Sequence, residues 1–281
     1  MTGYMDEFYN ADDPASIHRF NAMLSEYYLN NQRPMPWREY ITPYRVVVSE
    51  IMLQQTQVSR VIDKFPRFIQ TFPDFHALSC TSLEDVMRAW QGLGYNRRAK
   101  YLREISGVIV EQWNGIVPDD PDILKTFPGI GAATAGSITA FAYNRPIVFI
   151  ETNIRRVFIH HFFRDRVGVP DKEIIPVVSR ALNGHTPREW YYSLMDYGTF
   201  LAGRVVNPNR RSRHYVVQSP FPGSDREMRG QIIKYLLEHG PIRYQYLIEK
   251  IGDQESRTRT ILSQMITEGL IIQDHTIIRF P

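Results

Sequence analysis

The sequence contains very little cysteine and no long apolar run. Its 281 residues include one cysteine, Cys80, so it can form neither an internal disulfide nor a multi-cysteine zinc or iron–sulfur site. No stretch approaches the roughly 18 uninterrupted apolar residues of a membrane span. The first residues are acidic and polar, without the basic start and apolar segment of a secretory signal. These absences predict a cytoplasmic protein, nucleoid-associated if bacterial, with no membrane partner and no metal or iron–sulfur cofactor.

A strong net charge is also missing. The 33 basic and 30 acidic residues give a formal charge of only +3, which permits a nucleic-acid partner without requiring one. Basic residues cluster at 97–100, 155–156 and 210–214. When each cluster is considered alone, solvated surface is the favoured explanation.

Apolar residues recur at helical spacing over most of the chain, and strand-like alternation is scarce before the end. Proline and glycine mark short connections between the segments. The pattern predicts an all-α fold for residues 1–203. Segment 204–224 carries three prolines and many polar residues, and it predicts a basic surface linker.

Residues 225–281 have a different pattern. Three short helical segments, DREMRGQIIKYLLEHG, IRYQYLIEKIG and ESRTRTILSQMITEGL, precede IIQDHTIIRF, which alternates as two strands around a polar turn. This order is typical of a winged helix, a small α+β module. Winged helices contact DNA in some proteins and protein in others, so the sequence leaves the partner of this module open.

Residues 127–136 read FPGIGAATAG. The stretch lacks the Lys-Ser/Thr of a P-loop and the third glycine of a dinucleotide site, so nucleotide binding is not expected. A helix, a tight turn and a second helix would present backbone N–H groups of Gly129 and Gly131 at a helix amino terminus, which suits an external phosphate. An ordinary turn between two helices is the alternative.

Two carboxylates accompany this turn. Glu50 lies inside the largely apolar PYRVVVSEIMLQQTQV, where burial would raise its pKa. Glu151 follows the apolar run IVFI and precedes Asn153, where it could instead cap a helix. A protonated acid and a carboxylate anion beside a phosphate-binding turn are the groups that cleavage of an N-glycosidic bond requires.

Four motifs at matching separations resemble one family. They are MPWREYITPYRVVVSEIMLQQTQVSRVIDKFPRFIQTFPDF, WQGLGYNRRAKYL, FPGIGAATAGSI and IETNIRRV. Over residues 33–203 the chain resembles the helix-hairpin-helix (HhH-GPD) DNA glycosylases, and among them the MutY-type adenine glycosylases. The resemblance implies a two-lobed helical fold that binds double-stranded DNA as a monomer, flips a nucleotide out and hydrolyses its bond to a mispaired base.

The resemblance also implies roles for individual residues. Glu50 matches the general acid, Glu151 the anion that stabilises the sugar cation or activates water, and Asn153 its support. The implied DNA-binding residues are Arg38 near the flipped base, Gln55 as a wedge, Tyr95 beside the opposite base, and Gly129 and Gly131 at the phosphate. Asn96 stands where the family usually has a second tyrosine.

Two departures concern the chemistry. Glu151 replaces the usual aspartate, and one added methylene moves a carboxylate by up to about 1.5 Å. Such a displacement can cost on the order of 100-fold in rate. Ala133 stands where bifunctional relatives such as endonuclease III have a lysine that attacks the sugar, so we expect little or no lyase activity.

Two further departures concern DNA contacts. The four cysteines of the family's [4Fe–4S] cluster are absent, and we expect Arg210 and Arg211 of NPNRRSRHY to contact phosphate instead. No cofactor is expected, although the hairpin could hold a monovalent cation. The Nudix-like reader of 8-oxoguanine has no counterpart in the winged helix.

The expected function is therefore monofunctional excision of adenine opposite 8-oxoguanine or G in base excision repair. A thymine or uracil mismatch glycosylase of the same fold is one alternative. A non-catalytic binder of damaged DNA is the other.

Overall fold

The computed structural model describes residues 3–251 and 255–281. The described residues form mainly helices, with one small sheet near the carboxyl end. The expected fold class, a two-lobed helical fold with a small α+β module, is confirmed. In chain order the α-helices are α1 (Pro14–Asn31), α2 (Pro36–Glu39), α3 (Pro43–Leu53), α4 (Val58–Thr71), α5 (Phe75–Cys80), α6 (Leu83–Trp90), α7 (Arg97–Trp113), α8 (Pro121–Leu124), α9 (Ala132–Tyr143), α10 (Thr152–Phe162), α11 (Asp171–Leu182), α12 (Pro187–Ala202), α13 (Asp225–His239), α14 (Tyr244–Ile251) and α15 (Glu255–Thr267). Short 3-10 helices cover Gly3–Asp6 and Pro208–Arg211.

The chain divides into two compact units. The first contains the residues up to Ile41, Asp119–Lys125 and Ile130–Val217. The second contains Thr42–Pro118, Thr126–Gly129 and Gln218–Pro281. Each unit is therefore assembled from separated stretches of sequence. The division at 203 and 224 stays a sequence prediction.

Many helices begin at a residue that the sequence marks clearly. Proline occupies the first helical position of α1, α2, α3, α8 and α12, where its missing N–H removes no helical hydrogen bond. Side chains of Asp13, Thr42, Ser82 and Ser224 accept hydrogen bonds from backbone N–H groups of the first turn. These caps fix where the helices start.

The first unit is built around α10. This helix packs against α12 and α11, and α12 also packs against α1. Phe158, Tyr197 and Phe20 are fully buried among them. The packing holds the amino terminus of α10, which begins after Glu151, against α12.

The second unit buries aromatic side chains of α4 and α6 in its core. Phe65, Phe68 and Trp90 are fully buried, and the ring of Phe68 meets Phe72 and Trp90 edge to face. The carboxyl-terminal module belongs to this unit. Its helix α13 packs on α6, where Arg88 Nη1 donates to the carbonyl of Leu237 at 3.2 Å.

The module has the expected winged-helix order of elements, and it contains one strand more than the two that the sequence predicts. β1 (Ile242–Arg243) pairs with β3 (Ile277–Arg279), and β3 pairs with β2 (Ile272–Asp274), all antiparallel, in the order β1-β3-β2. The sequence places residues 242 and 243 in the second helix, which is wrong. These two residues form a strand because they pair with β3. Two residues are too few to show the alternation by which a strand is recognised in a sequence.

The segment after α12 is only partly a surface linker. Pro208, Asn209 and Ser212 are buried, and Arg213 N–H donates to the carbonyl of Val169 at 3.0 Å. Residues 213–223 are exposed. Every helix within the described ranges is too short or too polar to cross a membrane.

Candidate active site

Glu151 is the N-cap residue of α10. Its backbone is extended, and Oε1 accepts hydrogen bonds from the backbone N–H groups of Asn153 at 2.5 Å and Ile154 at 2.8 Å. The capping interpretation is therefore correct. The longer glutamate side chain folds back onto its own helix, as a shorter aspartate cap would.

Two opposing influences act on the Glu151 carboxyl. Burial raises its pKa above the ordinary value, because removal from water disfavours the charged form. The two backbone N–H groups and the positive charges of Arg156 and Arg155 lower it. The ionised carboxyl is thus disfavoured by burial and favoured by the donors around it. Such opposing influences are typical of groups that take part in reactions.

Asn153 and Arg156 form a hydrogen-bonded chain beside this carboxylate. Asn153 Nδ2 donates to Glu151 Oε2 at 3.4 Å, and Asn153 Oδ1 accepts from Arg156 Nη1 at 2.6 Å. Arg156 Nη1 also donates to the carbonyl of Gly198 on α12, at 2.9 Å. Asn153 is thus placed to support Glu151, and Arg156 orients Asn153.

Gly198 is required for this arrangement. A Cβ atom at this position would lie 2.6 Å from Asn153 Cβ and 2.9 Å from the Asn153 carbonyl oxygen. Both distances are shorter than non-bonded contacts of a Cβ atom normally are. Only glycine lets α12 approach the first turn of α10 this closely, and no pattern in the sequence indicates that contact.

Arg38 is bound to a buried carboxylate in the same unit. Its Nη1 and Nη2 donate to Asp196 Oδ2 and Oδ1 at 2.9 and 3.1 Å, and its guanidinium lies 4.2 Å from the centre of the Tyr192 ring. Arg33 Nε donates to Asp196 Oδ1 at 2.7 Å. Asp196, which the sequence reading missed, neighbours Met195, whose sulfur contacts Asn153.

The two glycines of the hairpin have different reasons to be glycine. Gly129 has φ +74°, and a Cβ there would lie 2.4 Å from Cδ2 of Tyr101. Gly131 is the N-cap of α9 with φ −91°, and a Cβ there would meet nothing within 4 Å. Gly129 therefore shapes the turn, while Gly131 leaves open space over the exposed amino terminus of α9, where an anion can approach.

Glu50 lies on α3 in the second unit. Its neighbours Ser49, Ile51 and Met52 are buried, while Glu50 itself is half-buried. Just beyond α3, Gln54 Nε2 donates to the carbonyl of Gly129 at 3.1 Å. The helix with the expected general acid is thus joined to the hairpin.

Gln55 and Tyr95 both have backbone conformations that are rare for residues other than glycine. Their φ angles are +54° and +48°. Residues held in this left-handed region concentrate at functional sites, because the strain needs support from the surrounding structure. Gln55 is exposed and Tyr95 is half-buried.

Arg98 supplies that support. Arg98 is 6% exposed, and its guanidinium donates to five oxygens: the carbonyls of Ile51, Met52, Leu93 and Gly94 and the hydroxyl of Thr56, at 2.7 to 3.2 Å. Burial lowers its pKa to about 10. One buried cation thus ties the turn that carries Gln55 to the turn that carries Tyr95. The sequence predicts Arg98 only as part of a basic surface cluster.

The two arginines of the 3-10 helix Pro208–Arg211 differ. Arg210 is exposed. Arg211 donates to the carbonyls of Phe163 at 2.6 Å and Ile159 at 3.1 Å, and also to that of Arg164. Arg211 therefore caps the carboxyl end of α10, the helix that begins after Glu151. Phosphate contact is untested for both residues, and the internal hydrogen bonds of Arg211 make Arg210 the better candidate of the two.

Across residues 3–251 and 255–281, no three His, Cys, Asp or Glu side chains are grouped as metal ligands. The expectations of no cofactor and of a monovalent cation at the hairpin stay predictions.

Known proteins match both the sequence and the fold. The sequence model of the HhH-GPD superfamily of base excision DNA repair proteins matches residues 48–175. The adenine DNA glycosylase of Mycobacterium tuberculosis is 31% identical over 282 residues, which cover 90% of each chain. This chain belongs to the adenine DNA glycosylase family of the HhH-GPD superfamily.

Solved structures of the superfamily share the fold of this family member. A thermostable thymine-DNA glycosylase matches with a TM-score of 0.60 and 19% identity, over 68% of this chain and 90% of its own. Endonuclease III, trapped as a covalent intermediate with DNA, matches with a TM-score of 0.52 and 17% identity, over 78% of this chain and 97% of its own. At these identities the likeness establishes the fold.

Proposed function

We propose that the chain is a monofunctional DNA glycosylase that removes adenine mispaired with G or 8-oxoguanine in base excision repair. The observation that carries this proposal is the 31% identity to an adenine DNA glycosylase over 90% of both chains. The Glu151 site adds the chemistry. Its carboxylate, held by two backbone N–H groups and a nearby arginine, suits the stabilisation of a sugar cation.

In this mechanism Glu50 donates a proton to the departing adenine, and Glu151 stabilises the positive charge that develops on the deoxyribose. Water then adds to the sugar carbon and gives a proton to the Glu50 carboxylate, which restores the acid. Asn153 and Arg156 keep the Glu151 carboxylate in position through the hydrogen-bonded chain described above. Because Ala133 has no amine, the sugar forms no Schiff base and the strand stays intact.

DNA contacts follow from the same assignments. Gly129, Gly131 and the amino terminus of α9 bind a backbone phosphate, and Arg210 binds a second. Gln55 and Tyr95 enter the distorted duplex, and Arg38 lies near the flipped base. The enzyme acts as a monomer on chromosomal DNA in the cytoplasm.

A thymine mismatch glycosylase is the second candidate, because a thymine-DNA glycosylase has the same fold. Its 19% identity conveys the fold alone, whereas the adenine enzyme is similar in sequence over almost the whole chain. Adenine is therefore the base we propose.

A panel of duplexes tests the reaction. We expect strand breaks after alkali treatment for adenine opposite 8-oxoguanine and opposite G, but not for T or U opposite G or for hypoxanthine. Without alkali the strands should stay intact. Breaks only at T or U would support the second candidate, and tight binding without breaks would indicate a non-catalytic binder.

Three variants test the assigned roles. Glu50→Gln and Glu151→Gln should each reduce single-turnover excision by at least about 100-fold, because each removes a proton donor or a charge from the reaction. Glu111→Gln, on the exposed side of α7, should excise at the normal rate. Normal rates in both active-site variants would show that the site lies elsewhere.

A further inference from the structure

The side chain of Met195 lies beside the hydrogen-bonded chain that supports Glu151. Met195 is on α12, in the turn before Gly198. Asn153 Nδ2 donates to the Met195 sulfur at 3.8 Å and to Glu151 Oε2 at 3.4 Å. An amide NH2 group has two hydrogens, so the sulfur accepts one and the carboxylate accepts the other. The position of the Asn153 amide therefore depends on the sulfur as well as on Glu151.

The backbone of Met195 is held independently of its side chain. Its carbonyl accepts hydrogen bonds from Arg33 Nη2 at 3.3 Å and from the Thr199 hydroxyl at 2.9 Å. The neighbouring Asp196 is buried and accepts from Arg33 Nε at 2.7 Å. A chemical change at the sulfur is therefore transmitted to its side-chain neighbours rather than to the backbone of α12.

Accessibility distinguishes Met195 from most other methionines. Of the nine methionines in the sequence, six are buried in the part of the chain that the structure describes: Met23, Met35, Met52, Met87, Met228 and Met265. Met195 and Met5 are half-buried, so a small oxidant in solution approaches these two side chains more readily. Of the two, Met195 is the one whose sulfur contacts Asn153.

The modification that this position favours is oxidation of the thioether to a sulfoxide by a peroxide. A sulfur lone pair attacks one oxygen of hydrogen peroxide, and the O–O bond breaks. The hydrogen on the attacked oxygen passes to the departing hydroxide, which leaves as water. The sulfur loses two electrons and the peroxide gains them. The weakly accepting sulfur is thereby replaced by a polar oxygen, and methionine sulfoxide reductases reverse the step.

The added oxygen does not fit between the sulfur and the amide in their present positions. An N–H···O hydrogen bond by itself takes about 2.7 to 3.2 Å, whereas the whole distance from Asn153 Nδ2 to the sulfur is 3.8 Å. The amide must therefore move when it donates to the sulfoxide oxygen. Its hydrogen bond to Glu151 Oε2 is already long, at 3.4 Å, and is the one that this movement breaks.

We propose that Met195 is a site of reversible oxidation, and that its sulfoxide slows adenine excision by drawing the Asn153 amide away from Glu151. This inference rests on the proposed function, in which Glu151 stabilises the sugar cation. Met195 is a positioning residue, because it acts on the carboxylate through Asn153. The backbone N–H groups of Asn153 and Ile154 still hold Glu151 Oε1, so oxidation lowers the rate while α10 stays folded.

Peroxide treatment followed by single-turnover kinetics tests the site. All proteins carry Cys80→Ser, because the exposed thiol also reacts with peroxide. Excision from a saturating A:G duplex is measured before and after treatment, and peptide mass spectrometry locates the added oxygen. We expect oxidation of Met195 to lower the rate about tenfold, within the loss that a displacement of about 1 Å can cause. Duplex affinity and melting temperature should change little, and methionine sulfoxide reductases should restore the rate.

Two leucine variants identify the sulfur that is responsible. In Met195→Leu the rates before and after treatment should be equal, whatever the starting rate, because leucine has no sulfur to oxidise. Met5→Leu is the matched control, since Met5 is the other half-buried methionine, and it should keep the tenfold loss. An equal loss in Met195→Leu, full activity with Met195 oxidised, or a Met195 that stays reduced while Met5 is oxidised would overturn this inference and leave the proposed function standing.

The side-chain amide of Asn153 provides a readout that does not depend on excision. Its NH2 signals, identified in an amide NMR spectrum by their loss in Asn153→Asp, should shift when Met195 is oxidised and return after reduction. Untreated protein that excises adenine from no duplex would contradict the proposed function. In that case unchanged Asn153 signals after oxidation of Met195 would overturn this inference as well, and shifted signals would support the effect of the sulfoxide on Asn153.

Discussion

Glu151 performs two tasks with opposite effects on the free energy of folding. As the N-cap of α10 it accepts two backbone hydrogen bonds, which stabilises the helix. Burial raises the pKa of its carboxyl, which means that the ionised form is disfavoured in the folded chain. A residue selected for stability alone would keep the hydrogen bonds without the charge. A charge that is kept at a cost to folding is typical of a group that takes part in a reaction, as proposed for Glu151.

Glu151→Gln should therefore increase stability while it abolishes excision. The folded chain binds a proton at Glu151 more tightly than the unfolded chain, so the ionised carboxylate destabilises the fold at any pH above its raised pKa. That cost disappears as the pH falls below the ordinary carboxyl pKa. Glutamine keeps an oxygen for the cap without the charge. Urea unfolding should show a more stable variant at pH 8 and a smaller difference at pH 4.5.

Glu111→Gln again provides the control, because this side chain is exposed on α7. It should leave the unfolding midpoint nearly unchanged at both pH values. A Glu151→Gln protein that is less stable than wild type at pH 8 would show that the charge contributes more as a helix cap than it costs by burial.

Arg98 illustrates how one side chain can fix the relation between two elements. The carboxyl end of α3 and the turn before α7 are separated by about forty residues, yet five oxygens from the two converge on this guanidinium. Four of the five oxygens are backbone carbonyls, so the clamp depends on few side chains. Nη1 and Nη2 of the planar guanidinium carry four N–H bonds that meet these oxygens, more than the three N–H bonds of a lysine ammonium.

Arg98→Lys should uncouple the turns that carry Gln55 and Tyr95. Lysine keeps the charge but has three donors on one atom, so several carbonyls lose their partner. We expect amide hydrogen exchange to increase at residues 53–57 and 92–96. Excision should fall by up to about 100-fold, because a displacement of about 1 Å in a DNA-distorting residue is enough for that loss.

The control substitution is Arg103→Lys on the same helix, because Arg103 Nε donates one hydrogen bond to the carbonyl of Thr81. It should not change exchange at either turn. If Arg98→Lys raises exchange throughout the second unit to the same extent, Arg98 contributes general stability rather than a specific clamp.

The whole molecule has a net charge of only +3. The positions of individual cations therefore matter more for DNA binding than the total charge does. Several arginines discussed above are already paired with carboxylates: Arg38 with Asp196, Arg97 with Glu268, and Arg155 with Asp171. Charges that are neutralised within the chain release few counterions from DNA. The salt dependence of binding should therefore depend on a small number of exposed cations such as Arg210.

Arg210→Ala and Arg211→Ala separate contact with DNA from support of the fold. Arg210→Ala should reduce the slope of log affinity against log salt by about 1, the value for one lost phosphate contact. Arg211→Ala should lower the melting temperature, because the carbonyls at the end of α10 lose their donor. Its salt slope should be nearly that of wild type. An unchanged slope in Arg210→Ala would remove this residue from the DNA interface.

The sequence by itself determined the helical class, the helix starts marked by proline and capping residues, and the family. These features depend on neighbouring residues or on motifs of fixed spacing, so they can be read along the chain. The sequence also indicated Glu50 and Glu151 as candidates, because carboxylates next to apolar runs are rare, and the resemblance to the family added Asn153.

Only the tertiary structure decided which of the similar residues are buried and what they contact. Arg98 differs from its neighbour Arg97, and Arg211 from Arg210, solely through carbonyls supplied by distant segments. Gly198 matters because α12 crosses the start of α10, and β1 exists because β3 pairs with it. Each of these depends on contacts between residues far apart in the chain, which local propensity does not encode.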